Sequence, residues 1–139
     1  METVTRFSIS VNSELLKKYD FLLKKIGYSN RSEAIRDLIR ERLAQEEWQD
    51  SQKKVVAVLS LVYNHQTREL TEVLNRIQHR HVEAVIASMH IHLDEHNCLE
   101  VIILKGSASQ VEKIAHELIT TRNVKHGQLI KTTTGTDIP

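Results

Sequence analysis

Residues 6–11, Arg-Phe-Ser-Ile-Ser-Val, alternate strictly between polar and apolar side chains, which is the period of a half-buried strand. Phe7, Ile9 and Val11 fall on one face, and Arg6, Ser8 and Ser10 on the other. Helical signals follow at once. Asn12 and Ser13 offer capping oxygens, and Leu15, Leu16, Tyr19, Leu22, Leu23 and Ile26 recur at helical spacing. Gly27 suits the left-handed position that ends a helix. A second start stands at Asn30, with Glu33 three residues on. Ala34, Ile35, Leu38, Ile39 and Leu43 then form an apolar stripe that runs to about Trp48. One strand and two helices in roughly 45 residues bury too little to stand alone. A lone strand also leaves its backbone groups unpaired. Two copies, paired strand to strand over a shared helical core, remove both problems.

Such a ribbon presents Arg6, Ser8 and Ser10 of each chain on its outer face. A two-stranded ribbon fits the DNA major groove, where Arg reads guanine and Ser reads either partner. The whole chain has a net charge of only +1, but residues 5–36 carry seven basic side chains against three acidic ones. That asymmetry suits phosphate contact. The plainer alternative is a dimerisation module whose polar face is merely solvated. The stretch from Arg6 to Leu43, above all Asn30-Arg31-Ser32-Glu33-Ala34-Ile35-Arg36-Asp37, resembles the ribbon-helix-helix DNA-binding family. That resemblance implies a second helix starting against a DNA phosphate. Asn30, Arg31 and Ser32 are then backbone-positioning residues, and Arg36 is counted with them as a DNA-binding candidate.

The pattern changes at the polar stretch 49–54, read as a linker between a first domain, 1–48, and a second, 55–133, with a loose polar tail over 134–139. In the second domain Val55–Tyr63 reads as a strand and Leu70, Val73, Leu74 and Ile77 as a helical stripe. Ala84–Leu93 and Cys98–Leu104 read as two strands. Val111, Ile114, Ala115, Leu118 and Ile119 mark a helix with Ser109 as its cap, and Gln128–Thr133 a last strand. The fold class is α+β, a β-α-α unit followed by the β-α-β-β-α-β order of the ferredoxin-like sandwich. Ligand-sensing domains of the ACT type have this shape.

On the first strand of the hairpin Val85, Ala87, Met89, Ile91 and Leu93 share one face, and His90 and His92 the other. Alternate residues lie about 6.6 Å apart, so both imidazoles can lean toward one ion. A five-residue turn, Leu93–Asn97, sets His92 opposite Cys98 and His90 opposite Glu100, with the thiol on the histidine face. A four-residue turn points the sulfur away. The longer turn is preferred because it aligns Leu99 and Val101 with Ile91 and Met89. Three ligands leave a fourth position open. His79 and His81, at the end of the preceding helix, are candidates that face a neighbouring subunit. Imidazoles with a thiolate suit Zn(II), Cu(II) or Ni(II), and binding should weaken as pH falls through the histidine range. His65, His96, His116 and His126 read as solvated, capping or packing residues.

Gln78-His79-Arg80-His81, His90-Ile91-His92, Cys98-Leu99-Glu100-Val101 and Lys125-His126-Gly127 resemble the metal-binding domain of the nickel-responsive regulators. Together with the ribbon-helix-helix unit the likeness covers almost the whole chain. It implies Ni(II), one per subunit, held by His90, His92 and Cys98 with His79 from an adjacent subunit of a homotetramer, a dimer of dimers. Tyr63, Gln78 and Glu100 match positions that support the ligands. Glu33 and Asp37 match carboxylates holding a secondary monovalent or divalent cation. Arg68 matches a residue reaching the DNA backbone. The expected partner is a palindromic double-stranded DNA operator bound in the nickel-loaded state, with repression as the outcome. The chain departs from the family at Arg80, Val82 and Glu83, where histidines are frequent, which argues against accessory metal binding and leaves the main site intact.

With one cysteine, the chain has no disulfide framework of its own. No apolar run approaches about 18 residues, and no leader-like segment stands at the N-terminus, so a cytoplasmic protein is expected, with no membrane and no further protein partner. Two rivals remain open. A zinc hydrolase would need an open coordination position and a base such as Glu100, and it leaves the ribbon unit unexplained; no enzyme is expected. A regulator of ACT type sensing an amino acid would respond to that ligand and not to metal.

Overall fold

The computed structural model describes residues 3–139, so the first two residues of the expected N-terminal domain lie outside it. The chain divides into two compact units, Met1–Arg40 and Glu41–Pro139. Helix α1 spans Ser13–Ile26 and α2 spans Arg31–Glu47. Asn12 caps α1 by accepting from the amides of Glu14 and Leu15, and Gly27 closes it at φ 92°, a conformation that glycine adopts without a Cβ penalty. Asn30 Oδ1 accepts from the Glu33 amide at 2.9 Å at the start of α2. These ends are the predicted ones.

The strand predicted over residues 6–11 does not form in the single chain. Phe7 and Ile9 are 67% and 66% exposed, and the helical stripe residues Leu15, Ile26 and Leu38 are exposed as well. The physical reason is that a strand exists only through hydrogen bonds to another strand, and the rest of the described first unit is helix and turn. Leu23 and Ala34 are its buried apolar residues.

The second unit has strands β1 (Lys54–Asn64), β2 (Val85–His92), β3 (Asn97–Ser107) and β4 (Val124–Lys131), with helices α3 (Arg68–Arg80) and α4 (Ala108–Ile119). The sheet order β2-β3-β1-β4, antiparallel throughout, is the predicted ferredoxin-like arrangement. Val55, Ala57, Leu59, Leu61 and Tyr63 of β1 alternate into the core with Ile102 and Leu104 of β3, Leu70, Leu74 and Ile77 of α3, and Val111, Ile114 and Leu118 of α4. Each buried Val, Leu or Ile among them contributes about 1.5–3 kcal/mol. The opposite sheet face is open: Met89, Ile91 and Ile130 are exposed there.

Several local expectations change. The cap of α4 is Ser107, which accepts from the Gln110 amide, and not Ser109. Strand β4 begins at Val124, four residues before the expected Gln128, after Asn123 turns the chain at φ 73°. Trp48 packs in the core of the second unit. The supposed linker is docked, because the Ala108 and Ser109 amides donate to the carbonyls of Lys53 and Ser51. The tail is tied as well. Thr132 accepts from Trp48 Nε1 at 2.8 Å, and Asp137 pairs with Lys53. These contacts link residues 84 apart in sequence, which no local pattern can reveal.

Candidate metal centre

The β2–β3 hairpin is built by its turn. Asp94 Oδ1 accepts from the amides of His96 and Asn97, and Oδ2 from Asn97 Nδ2, each at 2.8 Å. The Asn97 side chain and these amides stabilise the carboxylate, lowering its pKa to about 2. The register is that of the five-residue turn: His92 opposite Cys98, Ile91 opposite Leu99, His90 opposite Glu100. His90, His92 and Cys98 therefore share one face, with Cys98 buried and both histidines exposed.

Beneath them lies a fully buried carboxylate, Glu100. Its Oε2 accepts from Tyr63 Oη at 2.7 Å. Its Oε1 accepts from Gln78 Nε2 at 2.8 Å and from Ser88 Oγ at 3.0 Å, with His90 Nε2 at 3.3 Å. Tyr63 stands opposite Cys98 on β1, and its hydroxyl also reaches His90 Nδ1 at 3.3 Å. Burial and then the Glu100 carboxylate push the phenol pKa well up. Tyr63, Gln78 and Glu100, three non-adjacent residues singled out in the sequence, thus meet in one network.

The donors suit a metal. Cys98 Sγ and His90 Nδ1 are 3.9 Å apart, and bonds of about 2.3 Å to sulfur and 2.0 Å to nitrogen let one ion span that gap. His92 packs edge-on against His65, ring centres 4.7 Å apart, and His65 Nε2 is buried without a hydrogen-bond partner. His79 lies beside Gln78 on α3, across an open cleft of about 330 Å³ from Ser88 and His90. Among the described residues, no three His, Cys, Asp or Glu side chains of the single chain form a cage for an ion.

Sequence reasoning missed two neighbours of this centre. Ser88 had a signal, since it precedes His90 by two positions on the same strand face. The contact of His65 with His92 had none, because it joins residues from separate strand ends.

The candidates in the first unit are placed differently. Arg6, Ser8 and Ser10 are exposed on the extended segment, and Arg6 borders a groove of about 500 Å³ with Phe7, Ile9, Ile35 and Ile39. Ser32 and Arg36 line the same groove. Arg31 is held by Asp20 of α1 through two contacts of 2.7 Å. Arg36 pairs with Glu33, and Asp37 accepts from Tyr28 Oη at 2.6 Å and from Arg40. Glu33 and Asp37 stand one turn apart on α2, each already engaged. In the second unit Arg68 is exposed and pairs with Glu72 at 3.3 Å.

Residues 56–132 match the model of the NikR C-terminal nickel-binding domain, and residues 5–46 that of ribbon-helix-helix proteins of the CopG family. The chain belongs to the nickel-responsive regulator family. It is a DNA-binding regulator of that family and not an enzyme. A relative from Caldanaerobacter subterraneus named for nickel-responsive regulation is 47% identical over 99% of this chain and 90% of its own length. One from Pyrococcus furiosus is 46% identical over 97% of this chain and 98% of its own. In Solidesulfovibrio magneticus the match is 49% over 99% of both chains. The fold of an uncharacterized protein of Thermotoga maritima is similar at a TM-score of 0.50 and 14% identity, covering 56% of this chain and 96% of that one. No helix among the described residues is long and apolar enough to cross a membrane.

Proposed function

We propose that this nickel-responsive regulator is a cytoplasmic repressor that binds a palindromic DNA operator when each subunit holds one Ni(II). His90, His92 and Cys98 supply three donors, and His79 of the partner subunit the fourth, in a homotetramer built as a dimer of dimers. The observation that carries this reading is the hairpin register, which sets His92 opposite Cys98 and His90 opposite the buried Glu100. The incomplete donor set and the exposed position of His79 support a site shared between subunits. The open apolar sheet face and the exposed stripes of α1 and α2 support burial against further copies.

The domains follow that division of labour: 1–48 binds DNA, 49–54 connects, 55–133 senses metal and assembles. Arg6, Ser8 and Ser10 would read base edges from a ribbon paired with a second copy. Asn30, Arg31, Ser32 and Arg36 would meet phosphates near the start of α2, and Arg68 would reach the backbone from the sensor domain. A secondary cation at Glu33 and Asp37 requires Arg36 and Arg40 to turn away. Metal can raise operator affinity only by binding better to the DNA-competent arrangement, and a site bridging two subunits does so by fixing where the outer DNA-binding dimers stand.

The test is operator binding, read by fluorescence anisotropy with and without Ni(II), for the wild type, Cys98→Ala and His79→Ala. Nickel should tighten binding for the wild type and leave both variants unresponsive. A Cys98→Ala protein that responds like the wild type sinks the proposal. Zn(II) and Cu(II) run in parallel decide the metal, because the same donors suit all three ions.

A further inference from the structure

We propose that Ser88 is a positioning residue of the metal centre, tying the ligand-bearing strand β2 to the buried Glu100 carboxylate and so setting the acceptor that His90 meets. This rests on the reading of His90, His92 and Cys98 as ligands. Three elements hold Glu100: Tyr63 from β1, Gln78 from α3 and Ser88 from β2. Ser88 alone among those donors stands on the strand that carries the two hairpin histidines. It shares their face, two residues before His90, a spacing of about 6.6 Å.

Two features make the tie consequential. Among the described residues strand β2 is an edge of the sheet and pairs with β3 alone, so its position relative to Glu100 depends on side chains as well as on one ladder. Moreover, Ser88 and His90 both address Oε1, at 3.0 and 3.3 Å. The hydroxyl donates to a carboxylate, a charge-assisted bond stronger than one between neutral groups, and it draws density from the oxygen that His90 Nε2 faces. The partner of a ligand histidine's other ring nitrogen orients the ring and tunes its basicity. Ser88 acts one step further out, through Glu100.

The experiment is Ni(II) titration of the full chain, following affinity and the thiolate-to-metal charge-transfer absorption, for wild type, Ser88→Ala, Ser88→Thr and Cys98→Ala. Ser88 is exposed on an edge strand, where both alanine and threonine fit. Ser88→Ala should weaken binding by about 10-fold, the low end for residues that support metal ligands, and displace the absorption band. Ser88→Thr, which keeps the hydroxyl, should restore both. Cys98→Ala should abolish the band. If Cys98→Ala loses the band while Ser88→Ala matches the wild type, or if Ser88→Thr fails to rescue, the role of Ser88 is overturned and the ligand assignment stands. If Cys98→Ala keeps the band, the ligand assignment falls and takes this inference with it.

Discussion

Tyr63 of β1 donates its hydroxyl hydrogen to Glu100 of β3 at 2.7 Å, a bond between two almost fully buried side chains. The two residues are 37 apart in sequence, and the sheet register sets Tyr63 beside Cys98 and Leu61 beside Glu100.

Removing that donor should be costly because the carboxylate stays buried. Tyr63→Phe is expected to lose about 1.5–3 kcal/mol, the range for a hydrogen bond to a charged group. Urea unfolding at fixed protein concentration, with chelator present, measures it. A loss below 0.5 kcal/mol, on the order of a generic surface change, would show that Gln78 and Ser88 suffice to hold Glu100.

The hairpin turn sets which face carries the donors. Deleting Glu95 shortens the turn by one residue, and a one-residue slip moves every side chain of a strand to the other face. Strand β3 stays anchored on β1, so β2 is the strand that shifts. The variant should keep its circular dichroism spectrum and lose nickel charge-transfer absorption. Retention of the wild-type absorption would sever the link between register and site.

Gly127 lies against Ile119, and a Cβ there would stand 2.6 Å from Ile119 Cγ1. Gly127→Ala overpacks the α4–β4 contact and should destabilise the chain by about 1–3 kcal/mol. Ile119→Val combined with Gly127→Ala should recover part of that loss, a coupling that a double-mutant cycle reads directly.

In the first unit Arg31 beside Asp20 lowers the Asp20 pKa. A carboxyl depressed in the folded state stabilises the fold fully above its unfolded value. That contribution is lost as pH falls through the lower folded value, so Asp20 should matter at neutral pH and cease to matter in acid. Carboxyl NMR should find Asp20 titrating below the ordinary aspartate range, and Arg31→Ala should return it there. If Asp20 titrates normally in the wild type, the pair does not persist in solution. A phosphate competing for Arg31 must break the same pair, so adding operator DNA should raise the Asp20 titration midpoint.

Much of the candidate metal centre was legible because its grammar is local. His90 and His92 alternate on one strand, and the turn residues Asp94 and Asn97 belong to a tight hairpin, so a choice between two turn lengths settled which face Cys98 took. The apolar pairing of Ile91 with Leu99 favoured the longer turn from the sequence pattern alone. Tyr63, Gln78 and Glu100 came from resemblance, since nothing in their spacing says that β1, α3 and β3 converge. Ser88 went unnoticed because a serine on an exposed strand is ordinarily only soluble.

The sequence by itself determined the order of the helices and of the sheet strands and the helix ends at Asn12, Gly27 and Asn30, and it favoured the turn that sets His90, His92 and Cys98 on one face. Those features depend on side-chain period and on capping hydrogen bonds only a few residues long. Tertiary structure decided that Trp48 and the chain end are clasped together, that residues 49–53 dock on α4, and that Glu100 is buried under three donors. It also decided that residues 6–11 do not form a strand in one chain alone. Each of those depends on which distant backbone groups and apolar faces find partners, and periodicity along a chain carries no information about that.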